Sequence, residues 1–148
     1  MPVLLIVAVF WISDLTAQEI VQYDSTLATS LGADEYGMRS FVLVVLKTGP
    51  TRVPDGEERT QMFAGHMANI QGLADEGKLA FAGPLDGVDG WRGLYIFATA
   101  EIDSAKRYVA TDPVITQGEM VAEYHQLYGS AALMMVNELS RRIARKQH

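Results

Sequence analysis

The hydrophobic residues between Phe41 and Tyr128 change their spacing in one order: strand, helix, strand, strand, helix, strand. Few small folds accommodate that order, because each change of period fixes which side of the chain can be buried. Phe41 to Leu46 is continuously apolar and rich in β-branched residues, the signature of a strand covered on both faces. Glu57 to Gly77 then places Met62, His66, Ile70 and Leu73 at helical spacing, and Asp55 with Glu58 resembles a capping box at its start. Lys78 to Leu85 and Trp91 to Thr99 read as strands joined across Asp86-Gly87-Val88-Asp89-Gly90. Leu94, Ile96 and Ala98 share one face of the second of these, while Trp91, Gly93, Tyr95 and Phe97 share the other. A helix from Ala100 to Ala110, with Thr99 as its cap, is stopped by Asp112-Pro113, and Glu119 to Tyr128 forms the last strand.

This is the βαββαβ order of an α+β, ferredoxin-like domain: a four-stranded antiparallel sheet with helices on one face. The other face is left bare, and Trp91, Tyr95 and Phe97 are expected on it, with Tyr95 and Tyr124 packing a dimer core. Two such faces packed together give a homodimer, a dimeric α/β barrel. The flanks divide the rest of the chain. Residues 18–37 form an N-terminal arm, with a short helix from Asp24 to Leu31 ended by Gly32. Residues 38–130 form the domain, and residues 131–148 a C-terminal helix capped by Ser130 with Leu133, Val136, Leu139 and Ile143 as its buried stripe.

Val3 to Ile12 is a nearly unbroken apolar run. It is too short to span a hydrocarbon core of ~30 Å, but it suits the centre of a signal peptide ending near Ala17. The expectation is therefore a signal over residues 1–17 and an exported protein, periplasmic or secreted, with no stable membrane insertion after its removal. No basic residue precedes the run, so the alternative is a buried first element.

The chain has no cysteine, which excludes disulfides, thiolate catalysis and thiolate metal sites. Three scattered histidines make a structural metal site a poor fit, and no cofactor is expected. Four of the 12 basic residues, Arg141, Arg142, Arg145 and Lys146, lie at the extreme C-terminus, while 18 acidic residues are spread along the chain. A domain that acidic repels phosphate backbones, so nucleic acid is not an expected partner.

One side chain stands out chemically. His66 lies midway along the long helix, and imidazole is the group best suited to proton chemistry near neutral pH. Asp112 is the carboxylate that could hold its tautomer, although an Asp before Pro is also a natural helix cap. Gly83 and Pro84 shape a strand end and would let a ligand lie against the backbone. Arg92 is the basic residue nearest the aromatic strand. It either binds an anionic substrate group or pairs with Asp86 or Asp89 at the surface. His125 is expected to be exposed or paired with Glu123.

Gly65-His66-Met67, Gly77-Lys78-Leu79-Ala80-Phe81-Ala82-Gly83-Pro84 and Thr111-Asp112-Pro113, in this order and spacing, resemble the YCII-related family over roughly Phe41 to Tyr128. The resemblance implies a ferredoxin-like fold forming a dimeric α/β barrel, and a site built around a His-Asp pair, which by position is His66 and Asp112. Some members of that family, and a fold relative acting on muconolactone, move protons on small ring compounds or eliminate halide from them. The resemblance thus implies a small-molecule enzyme in which His66 transfers a proton on a lactone or hydroxylated ring, a cofactor-independent isomerase or lyase. The alternative is a non-catalytic homodimer that binds a small ligand or a partner. A cavity beside His66 within reach of Asp112 favours the enzyme.

Overall fold

A computed structural model of the chain describes residues 22–146; the expected signal segment lies outside them. The arm begins with α1 (Ser25–Ser30), whose N-terminus Asp24 caps through a 2.9 Å bond from the Leu27 amide; Gly32, at φ 67°, follows it. Arg39 ties the arm to the domain by donating to the Leu31 carbonyl at 2.8 Å.

The domain follows as β1 (Met38–Thr48), α2 (Glu57–Asp75), β2 (Leu79–Pro84), β3 (Trp91–Phe97), α3 (Ile102–Val109), the single turn α4 (Pro113–Thr116) and β4 (Met120–Ser130). All pairings are antiparallel and the sheet order is β2-β3-β1-β4, so the expected α+β, ferredoxin-like arrangement is the one formed. The helices cover one face. There Val42, Val44 and Leu46 of β1 meet Tyr95 and Phe97 of β3 beneath Met62 and Leu73 of α2, Ala105 and Val109 of α3, and Val114 of α4.

That packing corrects the assignment of faces on β3. Tyr95 and Phe97 pair across β1 with Val44 and Val42 and are buried under the helices; Tyr124 packs against the same core. Leu94 and Ile96 take the open face instead, beside Leu43 and Phe81. Trp91 parts from Tyr95 because the ladder passes from Leu46 opposite Gly93 to Lys47 opposite Trp91, skipping Arg92. This bulge turns Trp91 over, and the Lys47 ammonium sits 5.9 Å from the centre of its ring. On the same face Glu123 accepts from Lys47 at 2.6 Å, and its other carboxylate oxygen lies 2.7 Å from Nε2 of half-exposed His125, the pairing expected for that histidine. Nor is the open face wholly bare: Phe41 and Val45 on it are 0% and 4% exposed, with the Arg39 guanidinium over the Phe41 ring.

Helix ends differ from expectation at three places: α3 starts at Ile102 with Glu101, not Thr99, at its N-cap. Gly56, not Asp55, is the N-cap of α2; Asp55 is drawn to Arg52 and Arg59 at 3.1 and 3.5 Å, so no capping box forms. After β4, Ser130 caps a 3₁₀ segment (Ala131–Met135) that leads from the β4 edge towards β2, and only then does α5 (Val136–Ile143) begin. Asn137 pins α5 by donating to the Leu79 carbonyl at 2.7 Å. The expected buried stripe of this helix is not buried: Leu139 and Ile143 are exposed, and Leu133 and Val136 are half-buried. A short helix held at one sheet edge has no second surface on which to bury a stripe.

Candidate functional site

The site forms where α2 crosses the start of α4. Gly65 makes the crossing possible, since a Cβ there would lie 2.9 Å from Cγ of Pro113. The ring of Pro113 fills the space beside Gly65. The close approach sets Asp112, immediately before Pro113, against His66, immediately after Gly65. Gly65→Ala is expected to lower the melting temperature by several degrees. A helix-propensity gain of about 1 kcal/mol is outweighed by overpacking of about 1–3 kcal/mol against a rigid ring. An unchanged or raised melting temperature would show that α4 gives way freely.

Nδ1 of His66 lies 3.0 Å from Oδ1 and 2.9 Å from Oδ2 of Asp112. Asp112 is 0% exposed, and the His66 side chain retains 13%. The same carboxylate accepts the Val114 amide at 3.1 Å, capping α4, and the Tyr95 hydroxyl at 2.8 Å. Capping and pairing therefore coexist on one group. All three neighbours are donors, a pattern that a carboxylate anion satisfies. The arrangement places the imidazole proton on Nδ1, which leaves Nε2 with the lone pair in the neutral ring.

Sequence reasoning missed Tyr95 at this site because it put the ring in a dimer core. Its hydroxyl also lies 3.4 Å from Nδ1 of His66. Burial, and then the charge of Asp112, hold the phenol well above the usual tyrosine range, so it stays a donor. The only sequence signal was its position on an apolar strand, shared with Phe97.

His66 lines a cavity of about 490 Å³, within the range of small-molecule sites. Phe63, Met67 and Ile70 of α2 form one wall with it, and Ala82 to Pro84 and Arg92 to Tyr95 form the other. Gly83 contributes backbone, but its missing side chain makes room for Phe81: a Cβ would lie 3.2 Å from that ring. Pro84 closes the strand end as expected. Arg92 does not pair with Asp86 or Asp89; its ionic neighbour is Glu119, at 4.0 Å. Glu119 is 2% exposed and bonded to Arg59 and to the Val53 amide, each at 2.8 Å, which clamps the β1–α2 loop. Arg59's hydrogen bond holds the Glu119 carboxyl below the usual range, and its guanidinium stacks over Phe63, 5.0 Å from the ring centre. A smaller cavity of about 180 Å³ between α2, β2 and α5 does not include His66. Among the described residues no cluster of three or more His, Asp or Glu could hold a metal, and no helix is long and apolar enough to cross a membrane.

The fold and this cleft define an α+β, ferredoxin-like protein in which His66, paired with the buried carboxylate of Asp112, lines a cavity. The sequence model of the YCII-related domain matches residues 40–126, more than half of the chain, and the chain belongs to that family. The match ends four residues before the end of β4, so the arm and α5 lie outside it. No curated protein matches the chain.

Proposed function

We propose that the protein is a small-molecule enzyme in which His66 transfers a proton, with Asp112 orienting the ring and stabilising its charged form. The observation that carries this reading is the contact of Nδ1 with both oxygens of a buried carboxylate, on a ring that lines a cavity. A histidine serving only the core would be enclosed and spent on backbone groups; this one retains exposure beside an apolar chamber. In the reaction, Nε2 takes a proton from an activated C–H or O–H of a lactone or hydroxylated ring. The released electron pair moves into the adjacent π system. The proton then returns elsewhere on the ring, or a leaving group departs with its own bonding pair as the new π bond forms and Nε2 gives the proton to that group or to water. Asp112 and Tyr95 stay in place throughout, the first as acceptor for the imidazolium and the second as donor to Asp112.

The test is deuterium incorporation from D₂O into a panel of lactones and hydroxylated aromatics. Turnover or exchange by the unaltered protein is expected, and its persistence at a comparable rate in His66→Ala would reject the role. The competing reading, a non-catalytic ligand-binding domain, predicts binding without exchange across the panel.

We further propose that the open sheet face pairs with a second copy of the chain. Half-buried Leu43, Phe81, Leu94 and Ile96 and exposed Trp91 and Val121 support it, as an apolar strand surface of this kind favours closure. Sedimentation equilibrium is expected to give twice the chain mass at micromolar concentration; a monomer there would reject the pairing.

A further inference from the structure

Arg92 is the one residue lining the His66 cavity, among those described, that carries a permanent charge. Apart from His66 and the Tyr95 hydroxyl, the remaining side chains of that lining are apolar. The guanidinium is 28% exposed and is not tied down: its ionic neighbour Glu119 stands at 4.0 Å, beyond hydrogen-bonding distance. Glu119 is held in place by other partners. Oε1 is taken by Arg59 at 2.8 Å and Oε2 by the Val53 amide at 2.8 Å. Two guanidinium groups thus share one buried carboxylate, and one positive charge is left facing an apolar chamber. The bulge in β3 falls at Arg92, which takes this residue out of the ladder with β1.

From this we infer that Arg92 anchors a carboxylate on the molecule His66 acts on, so that the substrate is a small organic acid with an apolar, ring-sized body. Arginine presents a planar fork that matches a carboxylate with two parallel hydrogen bonds. Arg92 and Tyr95 are three residues apart on an extended strand, about 10 Å between Cα positions. The Tyr95 hydroxyl touches the His-Asp pair. A ligand bound at Arg92 therefore lays its body along β3 and delivers its far end to His66. The wall of Phe63, Met67 and Ile70 covers the body, and the lining offers no second cation to hold a dianion. The inference rests on the proton-transfer reading for the fate of the substrate, but the anion anchor stands on its own geometry.

The experiment is a calorimetric or NMR titration of the full chain at pH 7. The probes are benzoate and 4-hydroxybenzoate, each against its neutral carboxamide. A charge-assisted pair is worth roughly 1.5–3 kcal/mol, so each acid is expected to bind about tenfold or more tighter than its amide. Arg92→Gln is expected to abolish that preference by weakening the acids far more than the amides, Arg92→Lys to keep part of it, and His66→Ala to keep it. The melting temperature of Arg92→Gln should stay near that of the unaltered protein, since the arginine has no close ionic partner to lose. Equal affinity for acid and amide, no binding of either acid, or a preference that survives Arg92→Gln would each overturn the inference. Loss of the preference with His66-dependent exchange intact on neutral lactones removes only the anchor. A preference without any His66-dependent exchange removes only the proton transfer.

Discussion

Asp112→Ala lowers the stability of the domain by about 2–4 kcal/mol, a fall in melting temperature on the order of 10 °C. The size follows from what the carboxylate holds at 0% exposure: the Val114 amide at the head of α4, the Tyr95 hydroxyl and Nδ1 of His66. Loss of a cap costs typically ~1 kcal/mol. Leaving the buried Tyr95 hydroxyl without a partner adds roughly 1–3 kcal/mol, and the two losses need not add because they share one group. Asp112→Asn separates structure from chemistry. Asn caps a helix as well as Asp does with its single oxygen on the Val114 amide, and the Tyr95 hydroxyl can then accept from its amide nitrogen. Its amide nitrogen is a donor, however, and set against Nδ1 it moves the imidazole proton to Nε2, where the base should be. The expected outcome is near-normal melting with an activity loss of about 10²–10⁴ for the wrong tautomer. Thermal denaturation read beside turnover decides it: an Asn variant with full activity would leave Asp112 only its capping role.

His66→Ala is expected to remove about 10²–10⁴ of the rate, the usual worth of a positioned general acid or base. His66→Gln is the control for packing. It keeps much of the volume against Phe63, whose ring meets the imidazole edge-on at 6.1 Å, and can donate to Asp112, but it has no titrating nitrogen. Both variants should lose turnover together while Gln melts nearer the unaltered protein. Measured kcat/KM for the two decides the role: activity retained in Gln but lost in Ala would mean that shape, not proton transfer, was removed.

Much of this was legible in the sequence because its signals are local. Period changes order the elements, Asp24 and Ser130 cap the segments they precede, and Gly32 leaves α1 at positive φ. The pairing of His66 with Asp112 followed instead from the likeness to the YCII-related family, and the structure sets the two in contact although 46 residues separate them. What failed involved a choice between two equally apolar alternatives. Both faces of β3 are hydrophobic, so alternation groups Tyr95 with Phe97 without saying which group the helices cover. The skip at Arg92 then breaks the grouping for Trp91. Arg92 had acidic neighbours in sequence at Asp86 and Asp89, but the carboxylate it approaches, Glu119, arrives from β4's entry.

The sequence by itself determined the element order, the arm and the absence of thiol chemistry. Each of these follows from spacing or residue type within a short stretch of chain. Tertiary structure alone decided that Tyr95 completes the pair, that Gly65 admits Pro113 and that Arg92 faces the cavity with its nearest carboxylate already engaged. The physical reason is the same in each case: which of two permitted faces is buried, and which charge is left over, depends on what several distant segments bring to one point.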